Sequence, residues 1–175
     1  MSEGSSSPVV VVGVDGSDQS RVALRWAAEY TRLTGATLRA VTAWHCPTTY
    51  GIAPDWTDMD FVAEARDQLE ASLTQALGDS PGIPLETSVV EGQSAPVLLD
   101  AARDADLLVV GSHGHGRFAG MLMGSVSTHC VEHASCPVVV VRGDARGTAA
   151  GGSHRQAESR ARSTEQAPTS PTAST

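Results

Sequence analysis

The chain contains no lysine; all twelve of its basic residues are arginine. That absence excludes a Walker A phosphate loop, which needs a lysine to reach the phosphates, and any Schiff-base chemistry. Positive charge is scarce in general. The formal net charge is −8 at pH 7, so no basic stripe is expected that could coat a nucleic acid. No apolar run approaches the length of a membrane span. The first eight residues, Met1 to Pro8, lack the basic start of a secretory signal. The three cysteines, Cys46, Cys130 and Cys136, are an odd number, fit no disulfide framework and include no C-x-x-C pair. They are expected to be reduced thiols of a cytoplasmic protein. Residues 143–175 hold no Val, Ile, Leu, Met, Phe, Trp, Tyr or Cys and are expected to form a disordered tail, with residues 1–7 equally loose.

Between these ends lies one domain-sized segment, residues 8–142, in which two hydrophobic periods alternate. Val9 to Val14 is a β-branched run of the kind covered on both faces of a parallel sheet. Asp18 to Leu33 carries Val22, Trp26, Tyr30 and Leu33 at helical spacing, which predicts an inward stripe. Ser17 or Asp18 would cap it and Gly35 would stop it. Further strands are predicted over 37–44, 84–90, 106–110 and 137–141. Helices are predicted over Phe61 to Gly78, from Ser94 as cap, and over Ser125 to His133. Strands separated by helices imply right-handed βαβ units. The fold class is a doubly wound α/β domain with a five-stranded parallel sheet and helices on both faces.

In such a sheet, ligands bind beyond the C-terminal strand ends. Asp15 follows the first strand, Ala43 and Trp44 end the second, and Gly111 follows the fourth. From Gly111 the chain runs through Gly114, Gly116 and Gly120 to Gly124-Ser125 and the next helix. A glycine-rich passage from a buried strand to a helix start lets the backbone approach an anion while helix-start N–H groups point at it. The dinucleotide fingerprint G-x-G-x-x-G is absent, because Ala119 stands at its third position, and NAD or FAD is therefore disfavoured.

The spacing Gly111-x2-Gly114-x9-Gly124-Ser125 resembles that of the ATP-binding branch of the universal stress protein family. Val-Gly-Val-Asp-Gly-Ser17, Gly124-Ser-Val-Ser127 and Cys136-Pro-Val-Val-Val-Val-Arg142 extend the resemblance over roughly residues 8–142. It implies a Rossmann-like domain with strand order 3-2-1-4-5 and an ATP-binding role in stress adaptation or growth control. Carried onto this chain, Asp15 and the main chain near Gly13 would lie against adenosine. The backbone of Ala43 would meet the adenine edge. Val110, Gly111 and Gly114 would line the ribose and phosphates, and Gly124, Ser125, Val126 and Ser127 would bind phosphate. One departure is Thr42, where many members carry His. With no lysine, charge compensation is expected from backbone dipoles, from Arg117, or from Mg²⁺ held with the phosphates by Asp15.

His129-Cys-Val-Glu132-His133 matches a zinc-protease pattern, H-x-x-E-H. The remaining chain offers one strand and the tail from which to draw a further ligand, so these are read as exposed helix histidines. Cys130 and Cys136 are expected in or near the core. The fifth strand would be an apolar sheet edge of four valines, and pairing with a second copy through residues 137–142 would cover it. Three functions remain open. They are a nucleotide-binding regulatory module, a slow ATPase or adenylyl-transfer enzyme on the same site, and a nucleotide-independent interaction protein. No general base or paired carboxylates stand out for catalysis, which favours binding over turnover.

Overall fold

The computed structural model describes residues 7–46, 60–114 and 123–143. The expected loose N-terminus up to residue 6, Gly116, Arg117, Gly120 and the tail from residue 144 lie outside the described residues. In chain order the elements are β1 (Val9–Gly13), α1 (Asp18–Thr34), β2 (Thr37–Trp44), α2 (Phe61–Leu77), β3 (Leu85–Glu91), α3 (Ser94–Ala101), β4 (Leu107–Gly111), α4 (Ser125–His133) and β5 (Val138–Val141). The five strands form one parallel sheet in the order β3-β2-β1-β4-β5. Predicted strand limits shift by one residue at several ends, which is the usual fraying of element boundaries.

Alternation along the strands builds two cores. Val10, Val12 and Val14 point into one layer with Leu38, Ala40, Leu107 and Val109, beneath Ala23, Leu24, Ala27 and Ala28 of α1 and Leu69 of α2. Val11, Val41, Leu108 and Val110 point the other way, against Val97 and Leu98 of α3 and Cys130 of α4. Each fully buried leucine or valine of this kind stabilises the fold by roughly 1.5–3 kcal/mol. No described helix is long and apolar enough to cross a membrane.

Two local expectations are corrected. The buried stripe of α1 is Ser20, Ala23, Leu24, Ala27, Ala28 and Thr31, whereas Trp26 and Tyr30 are 38% and 39% exposed and Leu33 is 79% exposed. The helix presents its small side chains to the sheet, which allows close approach. The two rings instead stack on each other on the outer face, 5.5 Å apart and 12° from parallel. The cap of α3 is Gln93, which makes no side-chain capping bond, and Ser94 is already helical. The α1 cap is Ser17, whose hydroxyl accepts the N–H of Ser20 at 3.1 Å. Gly35 ends that helix in the left-handed region, at φ 69°.

Candidate functional site

The strand order reverses between β1 and β4: β1 leads through α1 to β2 on one side, and β4 through α4 to β5 on the other. Loops diverging from neighbouring strand ends leave a crevice there. A cavity of about 460 Å³ occupies it, within the range of small-molecule sites. Ten of the eleven residues singled out in the sequence line this cavity: Gly13, Asp15, Ala43, Val110, Gly111, Gly114, Gly124, Ser125, Val126 and Ser127. Arg117, the eleventh, lies outside the described residues. Val14, Ser20, Val41, Ser94, Leu98 and His113 complete the described lining.

Local chemistry fixes each wall. Asp15, Gly16 and Ser17 form the turn after β1. The Asp15 carboxylate accepts the N–H of Ser17 at 3.0 Å, and Gly16 adopts φ 78°, a conformation costly for other residues. The amide of Gln68, on α2, donates to the Asp15 carbonyl at 3.1 Å and so braces the turn from outside. The buried hydroxyl of Thr42 donates to the Val14 carbonyl at 2.9 Å and ties the end of β2 to that of β1. Trp44, at the end of β2, stacks on Phe61 at the start of α2, 6.5 Å apart.

The two described ends of the glycine passage are held together. The Gly124 N–H donates to the Ser112 carbonyl at 2.7 Å. The buried Ser127 hydroxyl faces the carbonyls of Ser112 and Gly124 at 3.2 and 3.0 Å. Gly111 sits against the first turn of α1, where an added Cβ would stand 3.0 Å from the Gln19 carbonyl carbon. At Gly114 an added Cβ would overlap the Asp15 carboxylate, so the loop main chain and that side chain lie against each other. Gly124 caps α4 without a side-chain bond, leaving the helix-start donors of Ser125 to Ser127 turned to the cavity. The arrangement presents an apolar floor, one carboxylate at the rim and a helix N-terminus, which suits an anionic ligand with a flat apolar part.

A second groove of about 590 Å³ runs along the β3 edge and α3. Its described lining includes Glu86, Glu91 and Asp100, and the one cation among those described residues, Arg39, is paired with Glu86 at 2.9 Å. That charge suits no anion. Cys130 is fully buried and its thiol is pushed up to about 11 by desolvation, so it is a core residue; Cys136 is half-buried and Cys46 exposed.

Comparison with known proteins converges on one family. The family model described as the universal stress protein family matches residues 8–142. Universal stress protein Rv2624c of Mycobacterium tuberculosis is 37% identical over 134 residues, covering 76% of this chain and 47% of that protein. This chain therefore spans about half the length of the curated relatives it matches. Among solved structures, a universal stress protein in complex with cAMP is 31% identical with a TM-score of 0.51, over 78% of this chain and 98% of that one. A family protein from Burkholderia pseudomallei is 29% identical with a TM-score of 0.57, over 79% and 98%.

Proposed function

The chain belongs to the universal stress protein family, and on that premise we propose that it is a regulatory protein whose cavity binds ATP, with occupancy setting a conformation or a partner surface. The observation that carries this reading is the start of α4, capped by Gly124 without a side-chain bond, which opens with Ser125 and Ser127 on the same cavity as Gly111 and Gly114. Phosphate gains there both from the helix dipole and from unshared N–H groups. In this reading Gly124, Ser125, Val126 and Ser127 bind phosphate, and Val110, Gly111 and Gly114 pass along the ribose and phosphates. The backbone of Ala43 meets the adenine edge, and Asp15 with the main chain at Gly13 lies against the adenosine. The relative in complex with cAMP supports a purine nucleotide as the ligand class.

The donor set also fits a divalent cation. Asp15 is the one carboxylate among the described lining residues, and Mg²⁺ is commonly held by one or two carboxylates plus substrate phosphates. When bound, Mg²⁺ would supply charge compensation that a lysine-free chain lacks. A single carboxylate among the described lining residues, with no second carboxylate there for another metal, favours holding the nucleotide over cleaving it, and turnover is expected below about 1 per second. The same reading pairs the apolar β5 edge with that of a second copy through residues 137–142.

Acid extraction of the purified protein, followed by chromatography of the released nucleotide, tests the reading. ATP as the main species supports it. A predominance of cAMP would replace the ligand while keeping the site. Protein that carries no nucleotide and takes up neither when supplied would overturn it.

A further inference from the structure

The last turn of α4 gathers three potential ligands on its exposed surface. His129 and His133 stand one helical turn apart, with Glu132 beside them, and one donor atom from each lies within 4.8 Å of the others. The two imidazole rings stack at 4.2 Å between centroids and 21° between planes. Nδ1 of His133 lies 3.1 Å from the His129 carbonyl. A carbonyl oxygen only accepts, so that nitrogen carries the proton and the Nε2 lone pair is left outward. A ligating histidine is commonly oriented by such a bond from its other ring nitrogen.

We propose that His129, Glu132 and His133 form a surface site for a divalent first-row transition cation, Zn²⁺ in the first instance. The site is separate from the cavity at the other end of α4. Two imidazoles and a carboxylate are borderline donors that suit Zn²⁺, Ni²⁺ or Cu²⁺ better than Mg²⁺ or Ca²⁺. Zinc bonds of about 2.0–2.2 Å in tetrahedral geometry bring donors to about 3.4 Å of one another. All three side chains are exposed, so small rotations close the remaining gap without disturbing the core. Three protein ligands leave one coordination position open to water or to a group from another molecule. Glu132 is here a ligand and not the base of a protease, because the motif lies on an exposed helix surface outside both described cavities.

The test is calorimetric titration of the untagged full-length chain with ZnCl₂ in excess Mg²⁺, repeated on His129→Ala, His133→Ala and Glu132→Gln. One Zn²⁺ per chain is expected, and each histidine variant should weaken binding by at least about tenfold. Circular dichroism should show unchanged helix content, since the substituted residues are exposed. Co²⁺ in place of Zn²⁺ should give visible bands without a thiolate charge-transfer band. Binding that survives in both histidine variants, or a cobalt spectrum with thiolate character from Cys46 or Cys136, would overturn the proposal. So would the lack of any binding tighter than about 100 µM.

Discussion

Replacing Gly111 by Ala probes the closest approach to main-chain atoms among the glycines that line the cavity. The added methyl would stand 3.0 Å from the carbonyl carbon of Gln19 and 3.1 Å from its oxygen. These are main-chain atoms of the first turn of α1, and they have no rotamer by which to retreat. The Gln19 side chain is also engaged, accepting the N–H of Gly143 at 2.7 Å. Either α1 or the end of β4 must therefore move by a few tenths of an ångström. Overpacking of this kind costs about 1–3 kcal/mol, and the smaller entropy of an unfolded alanine returns about 0.4–1 kcal/mol. The net loss, up to about 2.6 kcal/mol, corresponds to a melting point lower by up to roughly 8 °C for a domain of this size. Because the displaced segment is the entry to the glycine passage, ATP affinity should fall by at least about tenfold, or 1.4 kcal/mol. Gly35→Ala is the control. Gly35 sits at φ 69° with open space around it, far from the cavity lining. The left-handed conformation should cost alanine about 1–2 kcal/mol, lowering the melting point while leaving ATP affinity unchanged. The two variants are compared by thermal melting and by ATP titration. A Gly111→Ala protein that melts within about 1 °C of the parent and binds ATP equally well would show that the contact with Gln19 is not a constraint on the site.

Five further outcomes follow from the same geometry. Gly114→Ala pushes aside the Asp15 carboxylate and weakens its bond to the Ser17 N–H, so ATP·Mg²⁺ affinity should drop by about tenfold or more while stability falls by no more than about 0.5–1.5 kcal/mol, the value of one hydrogen bond; an unchanged ATP affinity would contradict this. Ser127→Ala removes a buried hydroxyl, yet both carbonyls it faces keep a backbone partner, from Gly124 N–H and Thr128 N–H. Its cost should stay near 0.5–1.5 kcal/mol, about the value of one hydrogen bond, as read by chemical denaturation. At pH 8 a thiol reagent should label Cys46 and spare Cys130 until the protein unfolds. Because burial raises the folded-state pKa of Cys130 from 9.0 to about 11, its contribution to stability is complete below pH 9 and is lost as pH climbs towards 11; denaturation midpoints across that range check the sign. Light scattering of the full chain at micromolar concentration should give the mass of a dimer, and a monomer would remove the β5 pairing.

The fold was legible because its signals are local. Val9 to Val14 and the valines of 137–141 cannot be amphipathic helices, and each predicted helix begins near a turn or cap residue, as at Ser17 and Gly124. The glycine passage was legible for the same reason. Helix orientation was not. Trp26 and Tyr30 have the right spacing for a buried stripe, but Ala23, Ala27 and Ala28, one position round, allow α1 closer to the sheet, and that close packing decides the face. The site residues missed in the sequence were of two kinds. Val41 is one alternation from Ala43 on the same strand face and could have been inferred from it. Ser20, Ser94 and Leu98 reach the cavity through the packing of α1 and α3, and nothing in their neighbouring residues announces a ligand.

In the proposed function, the crevice between β1 and β4 is a purine-nucleotide site anchored by the start of α4. Its most direct measurement is calorimetric titration of nucleotide-stripped protein with ATP in the presence of Mg²⁺. One saturable site per chain with micromolar affinity, weakened in Gly114→Ala and unchanged in Gly35→Ala, is the predicted result. Failure to saturate up to about 1 mM, where binding falls below about 4 kcal/mol, or equal affinity in both variants would contradict the account.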